Sequence, residues 1–360
     1  MEENELTLKE KLKSLPSCPG VYLMKGSDQN IIYVGKSKNL KSRVTTYFHS
    51  PDPDDKKAMK LYHSIKDLDI ITTDTELEAL LLECRLIHKY KPWCNRLMKN
   101  PDSYVYLKLT MAEDYPDLFL CDETKEDGSL YFGPYHKRST TQHALDAIRD
   151  LYKMACTKNN RKSTSCINYS LGKCNGICLG KISIELYRKQ IQEIIDFLMG
   201  TTTTLLNGLE EKMSEASAAF EFEQAAKLRN QIAALSTLTR QAKLISFASS
   251  HPLLLVAETL SLEYSKVLLL NGTAIIFEKK FVLDPKLKSS TLKKIAADVF
   301  DSLPKEEKKV QLSKQEIDEF HIIFSYLDNQ QNDCRYYNFK DLEDEALNAR
   351  VLYKILKGLF

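Results

Sequence analysis

Two tripeptides, Gly20-Val21-Tyr22 and Tyr33-Val34-Gly35, stand ten residues apart with the polar run Gly26, Ser27, Asp28, Gln29 and Asn30 between them. Apolar runs on either side of a cluster of turn residues predict a β-hairpin, with strands over 21–25 and 31–35. Pairing would put Tyr22 and Tyr33 on neighbouring strands, two phenols at one end of a small sheet. Taken alone the hairpin reads as a core element, because tyrosine is a good strand former. The cationic segment after the hairpin changes that reading.

Lys36, Lys38, Lys41 and Arg43 fall within eight residues that contain no acid. Leu40, Val44 and Tyr47 recur at helical spacing, with Asn39 and Arg43 on an adjacent face. A charge run is ordinarily a solvated face, but one at the mouth of a tyrosine hairpin suits contact with phosphates. A helix is predicted over 56–66 and a third strand over 68–72. Thr75 and Glu78 then match a capping box at the head of the apolar run to Ile87, which predicts a buried helix. Glu83 lies in its middle, and a buried carboxylate is costly unless it is paired or bound to a cation. Either it pairs with Arg85 or a nearby lysine, or it is a divalent-metal ligand aimed at the sheet. The helix ends at Lys91-Pro92, and Asn95 comes three residues later.

The ordered set Gly-Val-Tyr, Tyr-Val-Gly, Lys36, Arg43, Tyr47, Glu83 and Asn95 resembles the GIY-YIG nuclease domain. Its wider context, Cys18–Lys25, Ile32–Lys36, Glu78–Glu83 and Lys89–Pro92, is closer still to the N-terminal domain of bacterial UvrC and its homologue Cho. The resemblance implies one acidic metal ligand, a tyrosine that helps activate water, and an arginine that supports the charged phosphate. By motif position Glu83 is then the ligand for Mg²⁺ or Mn²⁺, with Tyr22, Tyr33 and Tyr47 around the attacking water and scissile phosphate. Arg43 and Lys36 supply positive charge and Asn95 shapes the site. The chemistry asks for the same set: a positioned water, a Lewis acid and cations for the charge that develops. Magnesium is held by as few as one carboxylate plus waters and substrate oxygens. A tyrosine, with an ordinary pKa near ~10, is a poor base at neutral pH. It would need the metal or a neighbour such as Lys36 to lower that value.

Strands are predicted over 104–110, 118–121 and 129–132 and a helix over 140–151; Tyr131–Tyr135 is also UvrC-like, whereas Val105 stands where that family usually has proline. Cys156, Cys166, Cys174 and Cys178 come next as C-x9-C-x7-C-x3-C, and no acid occurs between Leu151 and Ile184. Nine cysteines in a chain without an apolar leader at its N-terminus favour reduced thiols or a metal site over a disulfide scaffold. The spacing is not that of a ferredoxin or an ordinary zinc finger, but it resembles the UvrC cysteine cluster, which implies a [4Fe-4S] centre; zinc is the alternative. Ile177 replaces a proline common in that family. Net charge is only +2, so DNA binding must rest on local patches: Lys36, Lys38 and Lys41 in the first domain, Arg161, Lys162 and Lys173 around the cysteines.

A helix over 185–199 precedes two more that break near Glu221. Phe220–Ile232 resembles the UVR motif, through which UvrC meets UvrB; Phe220, Phe222, Ala226 and Arg229 are the expected partner contacts. Cho is expected to lack this hairpin. Strands over 253–257, 265–270 and 274–282 and helices over 290–303, 314–325 and 342–356 are predicted for the remainder. There, the acidic triad of the UvrC ribonuclease-H-like domain and the glycine-rich hairpins of its DNA-binding domain are missing.

The expected architecture is therefore multidomain α+β. It comprises a three-stranded α/β nuclease domain (14–98), a strand-rich and cysteine-cluster region (99–184), a UVR-type helical hairpin (185–240) and an α+β accessory domain (245–360). No window approaches the ~18 apolar residues of a membrane span, and the expected location is cytoplasmic. The expected activity is a structure-specific DNA endonuclease of excision repair working with UvrB. A non-catalytic UvrB-docking adaptor and a free-standing GIY-YIG nuclease on branched DNA are the alternatives.

Overall fold

The computed structural model describes residues 8–48, 56–95, 104–112, 114–135, 137–154, 167–282, 288–304, 313–329, 332, 334–342 and 348–360. The chain divides into two compact units, one made of Met1–Pro101 with Phe247–Phe360 and the other of Asp102–Ser246.

The first unit opens with α1 (Leu8–Lys13), β1 (Gly20–Lys25), β2 (Ile31–Ser37), α2 (Leu40–Thr46), α3 (Lys56–Ser64), β3 (Asp67–Thr72) and α4 (Glu76–Tyr90). The strands form an antiparallel sheet in the order β2-β1-β3. Strand side chains alternate between faces, and here both faces are covered. Val21, Leu23 and Val34 pack on Ala79 and Ile87 of α4. Tyr22, Met24 and Ile32 pack with Leu40, Val44, Leu61 and Ile65 from α2, α3 and the turn after α3. That is why β1 reads as an unbroken apolar run. The expected capping box starts α4: the Glu78 amide donates to the Thr75 hydroxyl at 3.1 Å and the Thr75 amide to Glu78 Oε2 at 2.9 Å. The helix stops at Lys91, left-handed at φ +44°, just before Pro92.

In the second unit β4 (Val105–Leu109), β5 (Leu118–Cys121) and β6 (Leu130–Tyr135) form a sheet in the order β5-β4-β6. After them come α5 (Arg138–Leu151), the single turn α6 (Ile167–Ser170), α7 (Ile184–Leu198), α8 (Thr204–Ala218) and α9 (Phe222–Ser249). Leu107, Leu118, Ile148, Tyr187, Ile194 and Leu238 lie in one core. The α8–α9 hairpin turns at Phe220, whose φ is +61°.

The chain ends in β7 (Leu253–Thr259), β8 (Tyr264–Asn271), β9 (Ala274–Val282), α10 (Lys288–Asp301), α11 (Lys314–Leu327), β10 (Cys334–Asn338) and α12 (Ala349–Leu359). The sheet order is β10-β7-β8-β9. One of its faces packs on α10 and α12. On the other, Leu254, Val256, Leu268 and Leu270 join Ile322 and Ile323 of α11 and Leu77, Leu81 and Cys84 of α4. So α4 is apolar on two faces because it is buried on two faces. The helix expected over 342–356 instead starts at Ala349, capped by Asn348, while 343–347 lie outside the described residues. β10 was not expected: it is five residues long, paired on one side only, and buries none of its side chains fully, so it carries little hydrophobic alternation. Among the described residues no helix is long and apolar enough to cross a membrane.

Candidate active site

Tyr22 on β1, Tyr33 on β2 and Tyr47, the residue that caps the C-terminus of α2, form a triangle with ring centroids 5.9–6.2 Å apart. Tyr22 does not sit opposite Tyr33. It pairs with Gly35, and Tyr33 pairs with Met24, so the two phenols meet diagonally across the ladder. The Tyr22 and Tyr47 hydroxyls are 3.1 Å apart. Arg43, one helical turn before Tyr47, holds its guanidinium carbon 5.3 Å from the Tyr47 ring centre. Tyr22 is 1% exposed. Burial first, and then Tyr47 and Tyr33, push its hydroxyl far above the ordinary phenol range; burial and Tyr47 do the same to Tyr33. Both phenols therefore keep their protons at neutral pH.

β2 is the outer strand of its sheet, so every second residue turns its backbone groups away from β1. Three other residues of this region use those groups in succession. The Cys94 amide donates to the Ile32 carbonyl at 3.1 Å. The Asn95 side chain takes both outward groups of Val34, accepting from its amide at 3.0 Å and donating to its carbonyl at 2.8 Å. The Lys36 amide donates to Glu83 Oε1 at 2.9 Å. The strand edge therefore acts as a ruler, setting Asn95 and Glu83 two residues apart along β2, roughly 7 Å. It also explains why Asn95 has to be an amide: only a donor and an acceptor on one side chain imitate a neighbouring strand.

Glu83 does not pair with Arg85, whose guanidinium binds Glu319 and the Thr273 carbonyl. Residues two apart on a helix do not face each other. Among the described residues no ammonium or guanidinium forms an ion pair with Glu83, and burial raises its carboxyl above the ordinary value, opposed by the Lys36 amide and, at longer range, by the Lys36 charge. A half-buried carboxylate with one amide donor and no counter-ion fits a divalent cation.

Lys36 is not directed at the tyrosines. Its ammonium lies 2.6 Å from Glu76 Oε1, and that of Lys38 lies 2.8 Å from Glu76 Oε2. The expectation that Lys36 lowers a tyrosine pKa is corrected accordingly. Glu76 was not expected in the site. It stands seven residues before Glu83, two helical turns, and so on the same face of α4; that spacing was the available signal.

The other expected residues are spread more widely. Lys41 is exposed on α2 and Lys173 is exposed near the cysteines. Cys174 and Cys178 are buried, and the Gly176 amide donates to Cys174 Sγ at 3.3 Å. Cys156, Cys166, Arg161 and Lys162 lie outside the described residues. Among the described residues no three metal-ligating side chains come together. At the hairpin tip Phe220 and Phe222 are 77% and 65% exposed with rings 6.0 Å apart. Ala226 is half-buried, and Arg229 is exposed with its guanidinium on Asn230.

Residues 18–96 match the UvrC-like GIY-YIG domain, 104–197 the UvrC/Cho excinuclease middle domain, and 203–238 the UvrB/uvrC motif. The chain is a UvrC-like protein. UvrABC system protein C of Caldanaerobacter subterraneus is 42% identical over 246 residues, which is 67% of this chain and 40% of that protein. Those of Acetivibrio thermocellus and Carboxydothermus hydrogenoformans are 37% and 36% identical over 283 and 290 residues, 77% and 80% of this chain. They cover 45% and 48% of those proteins, so the UvrC-like chain spans less than half the length of the relatives it matches. Matches of that length reach past residue 238, where the UVR-type motif ends. The solved GIY-YIG N-terminal endonuclease domain of UvrC from Thermotoga maritima, bound to magnesium, is 33% identical. It covers 27% of this chain and 100% of its own, with a TM-score of 0.23.

Proposed function

We infer that this UvrC-like chain is a metal-dependent DNA endonuclease of nucleotide excision repair. It cuts one strand near a lesion, on the 3′ side, in the cytoplasm and in concert with UvrB. The observation that carries the reading is Glu83: a half-buried carboxylate with no counter-ion among the described residues, held on the edge of the strand that carries Tyr33. Mg²⁺ or Mn²⁺ bound there would act as a Lewis acid on the phosphate or its leaving oxygen. The chain's own residues do the rest. Arg43 offers two nitrogen donors to the non-bridging phosphate oxygens. Tyr22 and Tyr33 keep their protons and donate hydrogen bonds to the phosphate and the incoming water. Asn95 and Glu76 are positioning residues, the first fixing the β2 edge and the second holding Lys36.

The four cysteines are read as ligands of a [4Fe-4S] cluster, with Zn²⁺ as the alternative. Support comes from the buried pair Cys174 and Cys178 and the amide aimed at Cys174 Sγ. Protein purified without oxygen should absorb near ~400 nm if iron–sulfur is present, and a colourless protein with stoichiometric zinc would favour the alternative. The exposed Phe220 and Phe222 are read as the contact with UvrB. Two large apolar side chains at a hairpin tip are costly to leave in water and suit a partner surface.

The test is an incision assay on a lesion-containing duplex with Mg²⁺ or Mn²⁺, with and without UvrB, comparing wild type with Glu83→Ala. A metal-dependent nick that disappears in the variant is expected. No nick in the wild type, or an undiminished nick in the variant, would leave the non-catalytic adaptor as the better reading.

A further inference from the structure

We propose that Trp93, with the Lys60 ammonium over one face of its ring, forms a platform beside the tyrosine triangle that stacks an unpaired nucleobase of the DNA strand. The proposal rests on reading that triangle as a phosphodiester site and adds where the flanking nucleotide goes.

Trp93 is the only tryptophan of the chain. It is 45% exposed although its loop is firmly anchored. On one side Pro92 is buried; on the other Cys94 is buried in the core that also holds Tyr22, and its amide is bonded to Ile32. Asn95, two residues on, is locked to Val34. The loop therefore presents a large flat ring to solvent at a fixed place next to the site, while its neighbours turn inward.

Lys60 of α3 reaches Trp93 from a neighbouring element, and Leu61 and Ile65 beside it are buried in the core with Tyr22. The Lys60 ammonium lies over the Trp93 ring, 4.8 Å from its centre. It covers one face of the indole, leaving the other for a base and setting one charge beside it for the adjoining phosphate.

Charge decides between occupants. Residues 36–48, 56–66 and 88–95 together contain ten lysines and arginines and no Asp or Glu. Among the described residues Glu76 takes up Lys36 and Lys38. A protein partner seated on tryptophan would need an apolar surround, whereas Trp93 is flanked by exposed Lys60, Lys89 and Lys91. A polyanion with flat faces fits, and among DNA forms only an unpaired strand exposes those faces, since paired bases are already stacked. The platform thus favours locally opened DNA over intact duplex.

Because Trp93 has no other tryptophan beside it, its emission reports on its own contact. The experiment uses the full chain carrying Glu83→Ala, so that bound DNA is not cut, with two probes: a duplex with a short central bubble and the same duplex fully paired. Binding is followed separately by the anisotropy of a label on the DNA. Bubble binding should quench Trp93, and the paired duplex should quench it less. Adding Trp93→Ala should weaken bubble binding about fivefold or more, while changing duplex binding less than about twofold. Trp93→Phe should restore bubble binding without the signal. Unchanged emission with DNA bound, or bubble binding that Trp93→Ala leaves intact, overturns the platform. Absence of metal-dependent nicking by the wild type would instead count against the phosphodiester reading and leave the emission result to stand on its own.

Discussion

Replacing Gly35 by alanine should damage catalysis far more than folding. Gly35 is not one of the glycines held at positive φ, so its backbone accepts a side chain. The obstacle is Tyr22, its partner across the ladder. A Cβ at position 35 would lie 2.4 Å from both Cζ and Oη of Tyr22 and 2.9 Å from Cε2. Ordinary contact between such atoms begins near 3.4 Å, so the phenol must retreat by about 1 Å in a core that is already close-packed. The ring is 1% exposed and hemmed in by Tyr33 and Tyr47, so the displacement passes to both. Such overpacking costs about 1–3 kcal/mol in stability, while misplacing a catalytic group by about 1 Å costs on the order of 100-fold in rate. Gly35→Ala should therefore stay folded by circular dichroism, melt a few degrees lower, and nick DNA about 100-fold more slowly at saturating Mn²⁺. Nicking within about twofold of wild type would show that the tyrosine triangle does not need its observed geometry.

Three further outcomes are expected. Lys266 is 5% exposed at its side chain and bridges Asp74, Glu78 and Glu278; Lys266→Met should destabilise the chain by about 3 kcal/mol in urea unfolding, since it strands the Glu78 carboxylate, 12% exposed, at the head of α4. Glu258 is 5% exposed, and burial raises its carboxyl to about 7 despite the hydroxyl of Tyr326, which donates to it at 3.0 Å. Its contribution to stability is then full below the ordinary carboxylate range and lost as pH rises through about 7. Unfolding measured below the ordinary carboxylate range and again above about pH 7 should show a loss of up to about 3 kcal/mol, which Glu258→Gln abolishes. Phe220→Ala with Phe222→Ala should leave the melting temperature unchanged, because both rings are exposed, yet abolish co-elution with UvrB; retained co-elution would remove the hairpin tip from the interface.

The parts of the site that were legible in the sequence are those specified locally. The hairpin comes from its turn residues, and α4 from a capping box that the structure reproduces bond for bond. The position of Glu83 in the middle of an apolar helix was visible, and so was the choice it posed between an ion pair and a bound cation. The edge of β2 was not visible, because Asn95 and Val34 are 61 positions apart in the chain and Glu83 and Lys36 are 47 apart. The destination of Lys36 was missed for a related reason: its partner Glu76 belongs to an element 40 residues away. The two-sided burial of α4 shows the same limit. The sequence of α4 calls for burial but does not say that residues from Leu254 to Tyr326 provide half of it. Nor does the series of cysteines reveal its own geometry, since two of the four lie outside the described residues.

The most direct test of the central assignment is a count of bound Mn²⁺ on the full chain, wild type against Glu83→Gln. Glutamine keeps an oxygen for the Lys36 amide and removes only the charge. Counting the difference between the two proteins cancels any metal held by the cysteines. One Mn²⁺ site present in the wild type and missing from a folded Glu83→Gln variant is the expected result. Equal numbers of sites with equal affinity would contradict Glu83 as the ligand.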